Sequence, residues 1–347
     1  MKSNYKQLGQ FIRQVDVRNS EGKEENLLGV SVQKKFIPSI ANTVGTDFKK
    51  YKVVKKGQFT YIPDTSRRGD KIGIALLEDD EEGLVSNVYT VFEIIDEKQL
   101  IPEYLMLWFS RPEFDRYARF KSHGSVREVM DWDEMCKVEL PVPPYEKQKE
   151  IVDGYKAITE RIALKKRIND NLEQQVNALY KNLTQSQEPN TIFSSICSVS
   201  SGKRPLSNRT GDIPLLGAGG IMAYIDEFNY DEPILVTGRV GTHGVIQKQH
   251  SKCWASDNTL VIKSEYYEFA YHFLKSVDWD ILNRGSTQPL VTQTDIKNLP
   301  IYIPNEQELQ EFEQIANNYM SLYKHQEAEI KKLTQIQNYI VNSLSQN

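Results

Sequence analysis

Apolar residues recur at intervals of three and four along a stretch of about forty residues that runs from Pro144 to Thr184 and contains one glycine. The apolar positions are Ile151, Tyr155, Ile158, Ile162, Leu172, Val176, Leu179 and Leu183. These steps place one narrow stripe on one face of a helix, as the seam of a coiled coil requires, whereas a helix that lies on a globular core has a wider apolar face. The pattern therefore predicts one long helix that pairs with a second helix.

A second stretch of the same kind runs from Pro304 to Leu344. Shifting the sequence by 161 positions, the difference between 312 and 151, aligns the apolar residues of the two stretches. The aligned pairs are Phe312 with Ile151, Tyr319 with Ile158, Leu333 with Leu172, Ile340 with Leu179 and Leu344 with Leu183. Upstream, Leu140-Pro141-Val142 resembles Leu299-Pro300-Ile301, and Gly124-Ser125 resembles Gly285-Ser286. The chain is therefore predicted to be an internal duplication, a globular segment followed by a long helix, twice over.

Each globular segment is predicted to be a twisted sheet with peripheral helices. In the first, runs of β-branched and aromatic residues between Gly, Asn and Asp predict strands at 15–17, 27–32, 51–54, 59–62, 71–77 and 87–95. Three helices are predicted to follow: one at 102–110, one that begins at Pro112, and a short one that Asp131 caps. In the second, strands are predicted at 212–217, 233–238, 244–248 and 258–263, and a helix at 267–277. The fold class is α+β, with two duplicated domains joined by two long antiparallel coiled-coil helices.

The predicted domain boundaries follow from this plan. They are 1–143 for the first globular domain, 144–186 for the first long helix, 187–303 for the second globular domain and 304–347 for the second long helix. Midway along the first helix the apolar steps give way to Lys165 and Asn169, and antiparallel pairing would bring Gln326 opposite them. A polar layer there would fix the register of the pair, and a bend or stutter in the helix is the alternative.

Composition limits the class of protein. A hydrophobic content of 39%, without any apolar run of the roughly eighteen residues that a membrane span needs, predicts a protein with no membrane segment. The N-terminus lacks the apolar block of a signal peptide, which predicts a cytoplasmic location. The three cysteines, Cys136, Cys197 and Cys253, are odd in number and far apart without metal-ligand spacing, which predicts reduced, unpaired thiols. The net charge of −4 argues against a protein that coats nucleic acid without specificity, so any DNA binding has to come from clustered loops.

Catalytic, metal and cofactor patterns are weak. Val142-Pro143-Pro144-Tyr145 resembles the end of an amino-methyltransferase motif, but valine cannot accept the hydrogen bond that the first position of that motif makes. The segment 217–220 is glycine-rich, but a tight turn explains it better than a dinucleotide loop does. Asp64 with Asp96 and Lys98 matches a short nuclease pattern that chance readily produces in a chain with 26% charged residues. We therefore predict no catalytic residue, no metal site and no cofactor.

Basic and amide side chains in the predicted loops are the remaining candidates. They are Lys34, Lys35, Arg67, Arg68, Lys121, Arg127, Lys203, Arg204, Arg209, Arg239, Thr242, His243, Arg284 and Gln288. Each alone is more often a solvated turn residue. As clusters at corresponding places in two repeats, they suit contacts to phosphates and to base edges, because Arg pairs with guanine and Gln or Asn with adenine.

Four features recur in both halves of the sequence: the Gly-Ser loops, the Leu-Pro segments at 140–144 and 299–304 that lead into the long helices, the glutamine-containing helix starts, and the long helices themselves. In these features the sequence resembles the specificity subunits of type I restriction-modification systems. No single motif is specific, but their duplicated order covers nearly the whole chain. The resemblance implies two target recognition domains that read a bipartite sequence in double-stranded DNA. It also implies that the coiled coil binds two modification (methyltransferase) subunits.

The same resemblance implies that the chain is not an enzyme. Methyl transfer from S-adenosylmethionine would take place on the modification subunits, and cleavage with ATP and magnesium on restriction subunits. Two other interpretations remain open. One is the recognition subunit of a related two-subunit restriction-modification system that cuts on both sides of its site. The other is a coiled-coil interaction protein without a DNA role, which would keep the helices but would not need the basic loops.

Overall fold

The structure is a computed structural model, and it describes residues 5–40, 45–65, 71–122, 128–205, 210–242, 244–282 and 290–344. The chain forms two compact units. Unit 1 consists of Met1–Leu164 with Ile330–Asn347, and unit 2 consists of Lys165–Glu329. Both limits fall inside the long helices, so each helix contributes one part to each unit. The domain boundaries expected from sequence stay a prediction.

Within the described residues of unit 1, ten strands and three α-helices precede the long helix. They are β1 (Tyr5–Gln7), β2 (Ile12–Val15), β3 (Leu28–Val30), β4 (Phe36–Pro38), β5 (Lys52–Lys55), β6 (Phe59–Tyr61), β7 (Ile74–Leu76), β8 (Glu82–Val85), β9 (Thr90–Ile94), α1 (Pro102–Phe109), α2 (Pro112–Lys121), α3 (Trp132–Cys136) and β10 (Glu139–Pro141). The main sheet is antiparallel with the order β2-β9-β6-β7, while β3 pairs with β4 and β5 with β8. Then α4 (Tyr145–Thr184) begins.

An aromatic cluster fills the space between the main sheet and α1. The rings of Phe59 and Phe92, on adjacent strands, stack with their centroids 4.8 Å apart. Phe109 of α1 meets both rings edge-on, at 6.0 and 6.4 Å. All three side chains are fully buried. Burial of large rings in these geometries is a main source of stability for a sheet of short strands.

After α4, a second set of elements follows in a similar order and ends in the second long helix. They are β11 (Thr191–Ile192), β12 (Cys197–Ser201), β13 (Thr210–Gly217), β14 (Gly220–Ile225), β15 (Ile234–Gly238), β16 (Gln247–Gln249), β17 (Trp254–Ala255), β18 (Thr259–Ser264), α5 (Tyr267–Ser276), α6 (Trp279–Leu282), α7 (Gln293–Lys297), β19 (Pro300–Ile301) and α8 (Glu306–Ser343). The main sheet is antiparallel with the order β12-β18-β15-β16, and β13 lies between β14 and β17 in a second sheet.

The two units confirm the predicted duplication. In both main sheets the strand that comes first in the chain pairs with the strand that comes last, β2 with β9 and β12 with β18. The last strand also pairs with a strand from the middle of the segment, β6 or β15, and it leads into a helix. In front of each long helix a short strand closes back on the start of the unit, with Tyr5 opposite Pro141 and Thr191 opposite Ile301. The Leu-Pro segments singled out in the sequence therefore hold equivalent places.

Several predicted elements need correction. The strand expected at 15–17 is β2, which ends at Val15. The strand expected at 244–248 begins only at Gln247, because Gly244 has a φ of +80° and lies against the Trp279 ring. The serine-rich strand β12 was not predicted, since its residues favour strands weakly and its pairing with β18 decides its conformation. The Asp131 cap is confirmed, because its carboxylate accepts a hydrogen bond from the Glu134 N–H at 2.8 Å.

The long helices run antiparallel within each unit. In unit 2, Lys165 meets Gln326, and Tyr180, further along α4, meets the earlier Phe312 with the ring centroids 6.3 Å apart. In unit 1, Gln337 donates a hydrogen bond to the Thr159 hydroxyl at 2.6 Å. Helix ends also join the globular cores, where Val152 and Leu344 belong to one core, and Val176, Tyr180 and Leu309 to the other. The coiled-coil seam is therefore confined to the middle of the helices.

The predicted polar layer is present in that middle section. Lys165 donates to the side-chain oxygen of Gln326 at 2.7 Å and forms an ion pair with Glu329 at 2.6 Å. One turn along, the buried Asn169 amide donates to Glu327 at 2.8 Å. The helix is continuous through this section, so these contacts, and not a break in α4, account for the missing apolar steps.

Each long helix also satisfies the first backbone N–H groups of a domain helix. In unit 1 the fully buried Gln148 accepts a hydrogen bond from the Ile101 N–H, just before α1, at 2.9 Å. In unit 2 the Glu313 carboxylate accepts from the N–H groups of Glu268 and Phe269 at 3.3 and 2.7 Å. Since these N–H groups have no partner inside their own helices, one polar side chain fixes each domain helix to its long helix.

Candidate nucleic-acid interface

The candidate lysines in the β3–β4 loop of unit 1 differ in their access to solvent. Lys34 forms an ion pair with Asp115 and donates to the Ile72 carbonyl at 3.2 Å, and its side chain is only 8% exposed. Burial lowers the pKa of Lys34, against the opposing effect of Asp115. Its charge is thus balanced inside the unit, and Lys35 is the exposed cation of this loop. The role of Lys34 in DNA contact stays a prediction, and its geometry points to a structural part.

Lys121 lies in the last turn of α2 and is partly neutralised. Its Nζ is 3.7 Å from the Glu134 carboxylate and 5.9 Å from the centre of the Tyr117 ring. About a third of the side chain is exposed. An ion pair of this exposure contributes little to stability, so the ammonium is available to exchange partners.

Other predicted contacts lie outside the residues that the structure describes. They are Arg67, Arg68, Arg127, Arg209, His243, Arg284 and Gln288, together with the Gly124-Ser125 and Gly285-Ser286 pairs. Their roles stay predictions.

Three of the predicted cations come together at one end of the main sheet of unit 2. The strands β12 and β15 both run antiparallel to β18, with Ser201 opposite Leu260 and Gly238 opposite Thr259. The segments that follow β12 and β15 therefore leave the sheet at the same end. They carry Lys203, Arg204 and Arg239, all of which are exposed.

Backbone hydrogen bonds fix these basic segments. The Lys203 N–H donates to the Ala255 carbonyl at 2.9 Å, and the Lys203 carbonyl accepts from the Trp254 indole at 2.7 Å. The Arg239 N–H donates to the Asn258 carbonyl at 2.8 Å. Within the described ranges, no ion pair or side-chain hydrogen bond engages the charged groups of Lys203, Arg204 or Arg239. Fixed backbone with unengaged cationic side chains suits contact with a polyanion.

Glycine is required where the segments leave the sheet. A Cβ on Gly202 would collide with the carbonyl oxygens of Ala255 and Ser256, and one on Gly238 with the carbonyl of Thr242. The exposed Thr242 lies beside the turn between β13 and β14, where a Cβ on Gly219 would be 3.8 Å from the Thr242 side chain. That turn pairs Gly217 with Gly220, which confirms the tight-turn interpretation of 217–220.

The corresponding end of unit 1 follows the same plan in the residues that the structure describes. After β6, Asp64 forms an isolated antiparallel β-bridge with Val129. After β15, Val240 forms the equivalent β-bridge with Leu290. Arg18, beyond the end of β2, is paired with Asp16 at 3.0 Å and donates to a backbone carbonyl. Arg67 and Arg68 follow Asp64 in the sequence, in the segment that is not described.

Sequence reasoning missed the turns that enter the last strand of each main sheet. In unit 2 residues 256–259 form a turn in which Asp257 and Asn258 are exposed. In unit 1 residues 86–89 form the equivalent turn, with exposed Asn87 and Val88. The available signal was a Ser-Asn or Ser-Asp-Asn step just before an apolar strand, which is typical of a turn with its side chains in solvent.

Several side chains of the types that often serve in catalysis are partly buried or stabilise a turn. Burial lowers the pKa of His250 and His272 to about 4 and raises that of the Cys197 thiol to about 12. The Asp96 carboxylate accepts from the Lys98 N–H at 3.0 Å and so closes a turn. No set of three or more metal-ligating side chains is found within the described ranges. The three cysteines are unpaired, as predicted.

No helix in the described part of the chain is long and apolar enough to cross a membrane. The chemistry that the sheet end offers is cationic attraction and hydrogen bonding, as recognition of a nucleic acid requires.

Two solved structures align with nearly the whole chain. The S subunit of a type I restriction-modification system from M. genitalium aligns with 98% of this chain and 95% of its own, at 13% identity and a TM-score of 0.67. The HsdS subunit from Thermoanaerobacter tengcongensis aligns over 99% and 97%, at 15% identity and a TM-score of 0.40. The first of these shows a shared fold. No curated protein sequence matches the chain.

A family model gives the sharper result, because it matches the chain twice. The model describes the type I restriction modification DNA specificity domain, and it matches residues 8–174 and 193–338. The two matches cover most of the chain and correspond to its two repeats. The chain therefore belongs to the family of type I restriction-modification DNA specificity domains.

Proposed function

We propose that the chain is the noncatalytic subunit that recognises a bipartite sequence in double-stranded DNA for a type I system, with each unit reading one half of the target. The observation that carries the proposal is the repetition of one sheet, β2-β9-β6-β7 and β12-β18-β15-β16, with different exposed residues at equivalent ends. Two readers with one framework and different surfaces suit a target with two unlike halves.

The charge at the sheet end of unit 2 supports DNA as the ligand. Lys203, Arg204 and Arg239 are exposed at the same end of the main sheet, and phosphate contacts from such side chains supply much of the affinity of a DNA-binding protein. The net charge of −4 means that this attraction is local. A complex in which partner subunits share the grip on DNA fits that balance.

The long helices are the proposed scaffold for two methyltransferase subunits. Ile315, Leu322 and Ile336 of α8 are 39%, 44% and 47% exposed, and their positions differ by multiples of seven, which places them on one face of the helix with Glu329 between Leu322 and Ile336. Exposed apolar side chains along one stripe of a charged helix are typical of a protein contact. Two copies follow from the duplication, restriction subunits complete the assembly, and methyl transfer and cleavage take place on those partners.

Methylation mapping tests the proposal. The chain is produced with its cognate methyltransferase subunit in a host without adenine methylation of its own, and modified adenines are located across the genome. We expect a motif of two short specific parts separated by a nonspecific spacer, and no methylation from the methyltransferase subunit alone. Methylation of one continuous motif, or a motif that does not depend on this chain, would contradict the proposal.

A further inference from the structure

The turn that enters β18 in unit 2 is held by the strands on both sides of it. Within the turn, the Thr259 N–H donates to the Ser256 carbonyl at 3.0 Å. From β12, the Gly202 N–H donates to the Thr259 carbonyl at 3.1 Å, and from the end of β15 the Arg239 N–H donates to the Asn258 carbonyl at 2.8 Å. Three strands therefore fix the backbone on which residues 257 and 258 stand.

The side chains on this fixed backbone are free for a ligand. Asp257 and Asn258 are exposed, and no hydrogen bond or ion pair of their side chains occurs within the described ranges. Exposed cations flank them, Lys203 and Arg204 on one side and Arg239 on the other. The Asp257 carboxylate and the Asn258 amide thus lie between cationic side chains. This arrangement suits a surface on which the cations contact phosphates while the central groups contact base edges.

Unit 1 repeats the device with different side chains. The Tyr89 N–H donates to the Ser86 carbonyl at 3.0 Å, the same bond as in unit 2, and the Lys52 ammonium donates to the Tyr89 carbonyl at 2.7 Å. Between them, Asn87 is exposed and Val88 is 66% exposed. Both side chains therefore face solvent at the positions that Asp257 and Asn258 occupy in the turn of unit 2.

We infer that these two turns are specificity determinants that contact base edges in the major groove, one in each half of the target. Asn87 and Asn258 have the amide that pairs with the N6 and N7 positions of adenine, and Asp257 has the acceptor for the N4 amino group of cytosine. Val88 can contact the methyl group of thymine. The inference rests on the proposed function and adds to it the residues that make the two half-sites different.

Alanine replacement in the assembled complex tests the inference. We expect Asn258→Ala to reduce discrimination at one base pair of one half-site by roughly tenfold to a hundredfold, and Asn87→Ala to do the same only in the other half. The readouts are the methylation motif across a genome and competition binding between matched and single-substituted duplexes. Glu265→Ala is the control, since Glu265 is exposed just after β18, at its opposite end. It should leave the motif unchanged.

The results separate the two levels of the proposal. If the unaltered complex methylates no bipartite motif, the proposed function itself is wrong. If it does, and both asparagine variants keep full preference at every position, the function stands and the turns are not determinants. A uniform loss of binding to all sequences would also overturn the inference. Melting temperatures of the variants check folding, and Asp257→Ala, which removes a second exposed side chain from the same turn, must affect the same half-site as Asn258→Ala.

Discussion

The Lys165 ammonium donates a hydrogen bond to the side-chain oxygen of Gln326 at 2.7 Å, across the pair of long helices. A polar contact in an otherwise apolar seam lowers stability but fixes one register, because a slipped pairing would bury it against apolar groups. The sequence predicts this contact from its missing apolar steps, and the antiparallel pairing places it. Its proposed role is to fix the register of α4 against α8.

Replacing both partners tests that role. We expect Lys165→Leu with Gln326→Leu to raise the melting temperature while weakening the choice of register. Register is read from a disulfide between cysteines introduced at 159 and 337, whose native side chains are hydrogen-bonded at 2.6 Å. Cross-linking should fall in the double leucine variant and stay complete with Lys166→Leu, an exposed neighbour. Full cross-linking in both would mean that the apolar seam alone sets the register.

The basic end of unit 2 should contribute to affinity for DNA in a salt-dependent way. If Lys203 contacts a phosphate, Lys203→Ala weakens binding to all sequences and reduces the slope of log affinity against log salt by about one. If Arg239 reads a guanine, Arg239→Ala costs about 1 to 3 kcal/mol of discrimination at one base pair. Titrations of the assembled complex at several salt concentrations measure both effects.

Lys263→Ala is the matched control for these cations. Lys263 lies near the other end of β18 and is paired with Glu232 at 2.5 Å, so its loss should not change DNA binding. If all three alanine variants bind alike, the sheet end is not the DNA surface. The same titration applied to Arg67→Ala with Arg68→Ala tests the equivalent segment of unit 1.

The buried Glu313 carboxylate should make unit 2 less stable as pH rises. Burial raises its pKa to about 7, against the effect of its hydrogen bonds to Phe269 and Glu268. An unfolded glutamate ionises near its ordinary pKa of 4.5. Between these values the folded state holds a proton that the unfolded state has lost, so the free energy of unfolding falls as pH rises through this window.

Replacement by glutamine isolates this contribution. Glu313→Gln keeps an acceptor for the α5 N–H groups, as Gln148 does in front of α1, but it cannot titrate. We expect the variant to lose the decline in melting temperature between about pH 5 and 7. His250 and His272, whose pKa values are lowered to about 4, act in the opposite direction and are the same in both proteins, so the difference between the curves reports Glu313. Parallel curves would contradict the prediction.

The exposed stripe on α8 should bind the methyltransferase subunit. Leu322→Asp or Ile336→Asp places a charge in that proposed contact, and we expect co-purification with the methyltransferase to be lost while the melting temperature of the isolated chain changes little. Lys331→Asp, at an exposed position off the stripe, is the control. Equal recovery of the complex with all three variants would place the partner elsewhere.

Much of the architecture could be predicted from the sequence, because periodicity and duplication are long-range patterns that do not depend on local detail. The helices expected at 144–184 and 304–344 are Tyr145–Thr184 and Glu306–Ser343. Short strands were harder, since pairing partners, and not their own residues, decide β12 and the start of β16. The antiparallel order of the sheets is also absent from the sequence pattern.

The candidate site was only partly predictable for a related reason. Basic residues in loops are visible in any sequence, but whether each faces solvent depends on contacts across the fold. Lys34 and Lys35 are neighbours, yet one is paired with Asp115 and the other is exposed. Conversely, Asn87 and Asn258 are uncharged and match no motif in the sequence, and only the paired strands bring Asn258 beside Arg239.

The most direct test of two independent readers is the exchange of one of them. Residues 1–143 are replaced by the matching segment of another family member with a different target, so that β1 and β10, which pair, move together. The chimera is produced with the methyltransferase subunit, and methylated adenines are mapped across the genome. The account predicts that one half-site changes to that of the donor while the other half-site stays as it was. A change in both halves, or in neither, would contradict it.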